Sequence, residues 1–242
     1  MSELQTGTHT VQFFAPTGTL HAAINLGNPI LANRDTGTGK VFGISVDLAN
    51  DFARVLDVPL ALVVVDSARK SVDAVKQGHA DIGFFAVDPL RGQDIAFTSP
   101  YIQIEGTYLV ENSSPIQTIE EVDQPHVKVA VGEGSAYDLY LSRELKHAQI
   151  VRAPTSPEVV DYFLDQKLDV AAGVKQQLEA DAQRLGGLRL LAGRFMLIRQ
   201  AMGISRTRPE AAAQFLSAFI ESRKQNGFIR QAMELHNIQG SF

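Results

Sequence analysis

The feature that most restricts the fold is a unit that occurs twice: a short amphipathic helix, a polar turn, an aspartate, then an apolar run of strand length. It is found at Val72-Asp73-Ala74-Val75 through Ala80-Asp81-Ile82 and again at Val160-Asp161-Tyr162-Phe163 through Leu168-Asp169-Val170. Helix-to-strand units look alike in any α/β protein, so the echo alone does not prove an internal repeat. It does predict strands alternating with helices, and therefore mainly parallel sheets flanked by helices. Two similar lobes is the favoured organisation.

The remaining pattern fills in the same order. Residues 20–25 predict a first strand, and the Gly/Asn/Asp/Thr-rich residues 33–40 a turn. Val46, Ala49, Phe52, Ala53 and Leu56 recur at helical spacing, with Val58-Pro59 closing that helix. Residues 60–65 predict a buried β-branched strand, and residues 71–77 a short helix with Gly78 just beyond its end. In the second half, residues 127–131 predict a strand that leads through Gly132-Glu133-Gly134-Ser135 into a helix. Ser156-Pro157-Glu158 predicts a helix start with a serine cap. A strand over 168–172, a strand-like run over 195–205 and a long helix from Pro209 complete the pattern. No low-complexity linker separates the halves, so strands rather than a loose tether are expected to join them.

Composition excludes several function classes. The formal net charge of -5 and the lack of a basic run argue against a nucleic-acid partner. With no cysteine there is no disulfide, thiolate nucleophile or zinc-thiolate site. The six histidines show no metal spacing, and no nucleophile elbow, P-loop or dinucleotide fingerprint is present, so no cofactor or metal is expected. The longest apolar runs, such as residues 59–65, are too short to span a bilayer. The first ten residues have neither a basic start nor an apolar core, unlike a signal peptide. Either a signal has been replaced by this start, or the protein stays in the cytoplasm.

One arginine stands out. The apolar run after Asp81 stops at Pro89, and Arg91 follows just beyond the strand end. In α/β sheets ligands bind outside the carboxyl ends of the strands, and a guanidinium there offers a planar fork that matches a carboxylate or phosphate. The competing reading is a surface salt bridge to Asp88 or Asp94. Phe84 and Phe85, adjacent in that strand, should face opposite sides of the sheet, as core or as one cleft wall.

Taken together, these residues resemble the amino-acid-binding type of solute-binding protein, family 3, that serves bacterial ABC importers. The resemblance covers about residues 18–228. It is carried by Gly43-Ile-Ser-Val-Asp-Leu-Ala49, Gln77-Gly78 with Ala80-Asp81, Pro89-Leu-Arg91 followed by Phe97-Thr-Ser-Pro-Tyr101, Val129-Ala-Val-Gly-Glu-Gly-Ser135 and Lys167-Leu-Asp169. It implies the type II periplasmic-binding-protein fold: two Rossmann-like α/β lobes, 1–110 with 200–242 and 111–199, joined by two crossing strands near 105–110 and 195–200. A ligand cleft between lobes that close on a hinge is part of that expectation. It also implies a non-enzymatic role in amino-acid transport, an ABC permease as partner, a periplasmic location and a monomer.

For the site, the resemblance implies that Arg91 grips a ligand carboxylate, with backbone N–H groups at Ser135 and Ala136 assisting; a plain helix cap is the other reading for Ser135. Ala86 and Asp88, between the strand and Arg91, join the candidate set, Asp88 standing where the family has threonine. Three departures bear on the ligand. Val174 stands where an ammonium-binding aspartate is usual, and a valine cannot balance a buried charge. Gly27-Asn28-Pro29-Ile30 replaces an aromatic wall, and the threonine is lost to Asp88. The expected ligand is therefore a small organic anion or a modified amino acid. Lys70 is a candidate second cation or a solvated lysine, and Glu105 and Glu133 are candidate ammonium partners or surface acids. Asn25 and Asn28 are candidate hydrogen-bonding groups at the first strand end, with a turn role open for Asn28. Two alternatives share the scaffold: a cyclohexadienyl or arogenate dehydratase-like enzyme, with Glu133 or Glu105 as general acid, and a ligand-sensing module.

Overall fold

In the computed structural model, which describes residues 8–242, the apolar runs become strands and the amphipathic segments become helices packed on them. The reading of the first ten residues falls largely on residues 1–7, outside the described residues. In chain order, α1 (Thr8–Phe14) and β1 (Leu20–Asn25) precede a small hairpin, β2 (Asn33–Arg34) with β3 (Val41–Phe42). Next come α2 (Ile44–Leu56), β4 (Leu60–Val65), α3 (Ala68–Lys76), β5 (Ile82–Ala86) and β6 (Ile95–Phe97). The middle of the chain holds β7 (Ile102–Glu111), β8 (Lys128–Gly132), α4 (Ala136–Glu144), β9 (Gln149–Ala153), α5 (Val159–Asp165), β10 (Val170–Val174), α6 (Lys175–Leu185) and β11 (Leu188–Leu190). The chain ends with β12 (Met196–Ser205), α7 (Glu210–Gln225) and α8 (Phe228–Leu235).

The chain divides into two compact units, Met1–Ile102 with Arg199–Phe242, and Gln103–Ile198. It passes from one to the other inside β7 and again inside β12.

In the first unit the strand order is β4-β1-β5-β12, with β6 also on β12. β1 pairs in parallel with β4 and β5. The chain therefore leaves β4, β1 and β5 at one edge of the sheet, which gathers their following loops. One face is covered by α3, where Ala23, Ala74, Val75, Ala80, Phe85 and Ile95 form a core cluster. Elsewhere in the unit Phe52 takes Phe14 and Phe219 edge-on, at ring separations of 4.9 and 4.8 Å. Phe85 packs edge-on to Phe97 while its neighbour Phe84 meets Tyr101, as side chains on opposite faces of a strand must. Gly43, which precedes α2 at φ 127°, has no room for a β-carbon beside the carbonyl of Leu31.

The second unit has the order β7-β10-β8-β9, with β11 on β7. β8 pairs in parallel with both β9 and β10. Its core joins Leu109, Ala130, Ala153, Val159, Val160, Phe163, Ala171 and Leu178.

The structure corrects four local expectations. The sheets are mixed rather than mainly parallel: β12 runs antiparallel to β5 and β6, and β7 antiparallel to β10 and β11. These two long strands carry the chain between units and enter each sheet against its neighbours. Residues 60–65 are half-buried along their whole length instead of buried, because β4 is the outermost strand. The helix expected over 71–77 begins at Ala68, since the Ser67 hydroxyl accepts the Lys70 N–H and caps it earlier. Before α5 a single 3-10 turn spans Ser156–Glu158, and Thr155 rather than Ser156 occupies the cap position.

Candidate functional site

Three loops meet at the edge where β4, β1 and β5 end. The loop after β5 carries the arginine. All five residues of β5 are buried, and the chain then turns because Asp88-Pro89 starts a local hydrogen-bonded loop: Asp88 Oδ1 accepts the Leu90 N–H at 2.8 Å and the Asp88 carbonyl accepts the Gly92 N–H at 2.9 Å. A 3-10 turn over Arg91–Gln93 follows. Arg91 Nη1 donates back to the Ala86 carbonyl at 3.1 Å, so the guanidinium folds over the strand end that precedes it.

Arg91 is 6% exposed and Asp88 4%. Burial pulls the Arg91 pKa down to about 10, while the charge of Asp88 acts in the opposite sense. The competing reading is corrected in its surface position and in its Asp94 partner, while Asp88 stays beside the arginine as a counter-charge. The arginine is interior, and the Asp94 carboxylate pairs instead with Lys76 at 2.8 Å. The apolar side chains beside the charges, Val87 and Leu90, are left 41% and 55% exposed. The Phe97-Thr-Ser-Pro-Tyr101 segment has a bracing role: Thr98 bonds to the Met202 backbone, Ser99 bonds Glu221 and Lys224 on α7, and Tyr101 is fully buried.

The loop after β1 is shaped by its two asparagines. Asn25 Oδ1 accepts the Gly27 N–H at 2.8 Å, and the Asn28 carbonyl accepts the N–H groups of Leu31 and Ala32. The side-chain Oδ1 of Asn28 is buried with no hydrogen-bond donor among the described residues, and so is the Ser71 hydroxyl on α3, after β4. Lys70, on the same helix, forms an exposed pair with Asp66 at 2.7 Å.

In the second unit the loop after β8 precedes α4. Gly132 packs so closely on Ser156 that a β-carbon would lie 2.6 Å from its hydroxyl oxygen. Ser135 is buried, and its hydroxyl accepts the Asp138 N–H at 3.0 Å, the usual helix cap. Ala136 is the first helical residue and Glu133 is exposed. Sequence reasoning missed Asp138, which is 3% exposed. Its Oδ2 accepts the Gly134 N–H at 2.8 Å and Arg152 Nε at 3.1 Å, while Oδ1 accepts the Ser142 hydroxyl at 3.1 Å and lies 3.0 Å from Arg152 Nη2. A carboxylate of the chain itself thus sits at this helix N-terminus. The Ser135-x-x-Asp138 spacing was a readable signal; the partner Arg152, on β9, was not.

Glu105 and Val174 also lie in the second unit. The Glu105 oxygens hold Arg194 at 2.7 Å and Lys175 at 3.0 Å, and these bonds, Arg194 first, keep its carboxyl below the usual range. Val174 is the half-buried last residue of β10 and precedes α6. The structure therefore brings Asn25, Asn28, Ala86, Asp88 and Arg91 to one sheet edge. Ser135, Ala136 and Glu133 belong to a separate loop. Among the described residues no group of acids and histidines could hold a metal ion, and no helix is long and apolar enough to cross a membrane.

Residues 22–236 match the sequence profile of the bacterial extracellular solute-binding proteins, family 3. A cyclohexadienyl dehydratase of Pseudomonas aeruginosa is 25% identical over 212 residues, covering 82% of this chain and 75% of that protein. Among solved structures, a mutant of ArgBP from T. maritima aligns with a TM-score of 0.80 at 18% identity, over 95% of this chain and 100% of that one. A solute receptor for L-cysteine from Neisseria gonorrhoeae aligns at 0.80 and 19%, over 93% and 92%. An ancestral amino acid-binding protein, described as a precursor of cyclohexadienyl dehydratase, aligns at 0.78 and 21%, over 95% and 100%. These are likenesses of fold, and the fold is that of the type II periplasmic binding proteins.

Proposed function

The chain belongs to the bacterial extracellular solute-binding proteins, family 3, and from that premise we propose that it is the solute receptor of an ABC importer, binding a small carboxylate-bearing ligand through Arg91. The observation that carries this reading is a guanidinium only 6% exposed at the carboxyl end of a buried parallel strand. A surface ion pair gives no reason to bury a cation there, whereas an anion-binding site does, because a buried guanidinium meets a carboxylate with little competing water. Asn25, Asn28, Ala86 and Asp88 line the same sheet edge of the first unit as Arg91.

Ser135 and Ala136 lie in the second unit, where Asp138 has taken the Gly134 N–H and brings its own negative charge, so that helix start is a poor anion site by itself. Lys70 and Glu105 are held by partners of their own, and Glu133 lies on the exposed surface of its loop. Val174 offers a ligand only apolar contact. The receptor works as a monomer outside the cytoplasm and hands its ligand to a permease; it has no catalytic step.

A dehydratase-like activity is the second reading, favoured by the Pseudomonas relative. It needs a general acid, and Glu105, locked to two cations with a lowered pKa, is badly suited to give up a proton near neutrality. The test is thermal denaturation across a panel of amino acids and organic acids, since a ligand of the native state raises the midpoint. The reading expects at least one carboxylate to raise it and Arg91→Met to abolish that rise. Turnover of prephenate or arogenate would favour the enzyme instead.

A further inference from the structure

We infer that the outer face of α2 and α8, in the first unit, is a surface on which two copies of this chain pair about a two-fold axis, Asp47 of each meeting the partner's Arg54. The surface shares no residue with the sheet edge that holds Arg91, so the inference does not rest on the receptor reading. One chain remains the ligand-binding unit, and the pairing joins two such units when they are concentrated.

The two helices flank a groove of about 340 Å³, lined by one stripe of α2 from Asp47 to Arg54 and one stripe of α8 from Phe228 to Leu235. The lining positions of each helix follow i, i+3, i+4 and i+7, which is one helix face. His236, just past the end of α8, bonds Asp47 Oδ2 through Nε2 at 2.6 Å. The end of α8 therefore lies beside the Asp47 end of the groove, and α8 runs against α2. Asp47 and Leu235 mark one end; Arg54 and Phe228 mark the other.

The charges on this face run from acidic to basic along the groove. The Asp47 end also carries Glu234, exposed on α8, and the Arg54 end carries Arg230, exposed one turn earlier on the same helix. Arg54 is a spare cation. It bonds Asp51, but that buried carboxylate also holds Arg223 through its other oxygen, and the Arg54 side chain is left 76% exposed. Asp57, which caps α2 beyond Arg54, lies outside the lining. Between the two ends stand uncharged amides, Asn50 and Gln231. A two-fold contact presents the same patch from both copies, so residue i meets j while j meets i. Turned about an axis through the middle of the groove, the acidic end of each copy faces the basic end of the other, and neutral amides meet at the axis. Registers that set like charges together are opposed by their repulsion.

The apolar surface follows the same symmetry. Leu235 is 72% exposed, the most exposed of the large apolar side chains among the described residues. It does not stand alone. The exposed Phe42 ring lies 6.2 Å from that of His236, and the exposed Phe242 ring lies 5.8 Å from the Arg230 guanidinium. Exposed apolar groups gathered at a groove and rimmed by charge mark an interaction surface. In the two-fold arrangement each Leu235 enters the far end of the other copy's groove and covers the partner's Phe228. A contact confined to two short helices is small, and small interfaces form weak, transient complexes.

Sedimentation velocity on the full chain, from about 1 μM to about 1 mM, tests this. Wild type should pass from monomer to dimer within that range and go no further, because a two-fold contact closes on itself. Asp47→Lys alone and Arg54→Glu alone should each weaken the dimer roughly tenfold or more, since either change sets like charges together twice. An equimolar mixture of the two variants should regain the dimer, because every facing pair in the mixed dimer again joins opposite charges. Leu235→Asp, at an exposed position that folding does not need, should weaken the dimer as strongly, and it serves as the test if Arg54→Glu folds poorly. A wild type that stays monomeric throughout, or one that grows into larger assemblies, would overturn the inference. So would variants that pair like wild type, which would put the contact on another face. A mixture of folded variants that stays monomeric would refute the pairing of Asp47 with the partner's Arg54.

Discussion

The loops after β5 and after β8 occupy equivalent places, each following a buried strand in its own unit, yet they bury opposite charges. The first buries a cation, Arg91, with its counter-charge Asp88 three residues away in the same turn. The second buries an anion, Asp138, and draws its counter-charge, Arg152, from the next strand; the Arg152 side chain is 48% exposed. A pair built within one turn is fixed by the local chain. One built across strands exists only once the unit has folded, and water helps to satisfy it. A helix N-terminus that supplies its own carboxylate is a poorer anion site than a buried guanidinium, although both follow the carboxyl end of a strand.

The sharpest way to break this contrast is to remove each cation. Arg91→Met strands Asp88 in the interior, and loss of one member of a buried pair costs about 3–5 kcal/mol. Arg152→Met should cost about 1 kcal/mol or less, because solvent reaches much of that pair. Chemical denaturation of the two variants would show it, and equal costs would erase the distinction. Adding Asp88→Asn to Arg91→Met should recover much of the loss. Next in size is Gly132→Ala, whose β-carbon meets Ser156 at 2.6 Å; overpacking of this kind costs about 1–3 kcal/mol. Ser135→Ala removes a helix cap for about 1 kcal/mol and should change ligand affinity far less than Arg91→Met.

The smallest effects are those of pH. Arg91 keeps its charge up to its lowered value of about 10, so ligand affinity should fall only as the pH rises through that value. The folded state gives up this proton before the unfolded one, whose value is the higher, ordinary one of a free arginine, so folding itself does not weaken there. Glu105 behaves conversely. Its folded value lies below the ordinary 4.5, so its contribution to stability is present above that pH and is lost as the pH falls below it. Glu105→Gln should flatten that acid limb of the stability profile, and an unchanged limb would place the acid sensitivity elsewhere.

Much of this was legible in the chain because it is set locally. β1 runs over the residues expected of it, and Pro209 and Gly227 flank α7 where the long helix was anticipated. What was not legible depends on partners distant in sequence. The antiparallel entry of β7 and β12 cannot be read from apolar runs, since a strand's direction is decided by the sheet it joins. The burial of Arg91 is another case: position beyond a strand end suggested a surface residue as readily as an interior one. The Lys76 partner of Asp94 and the Arg194 and Lys175 partners of Glu105 lie 18, 89 and 70 residues away, beyond any local pattern. The four-residue reach from Asp138 to Gly134, by contrast, was present in the spacing and could have been read.

The most direct measurement is calorimetric titration of the strongest-binding carboxylate into wild-type protein and into Arg91→Met, with a melting curve of each to confirm that the variant is folded. A buried guanidinium that holds the ligand's carboxylate predicts a loss of roughly a hundredfold or more in affinity. A folded variant that binds within about twofold of wild type, a difference below 0.5 kcal/mol, would contradict it.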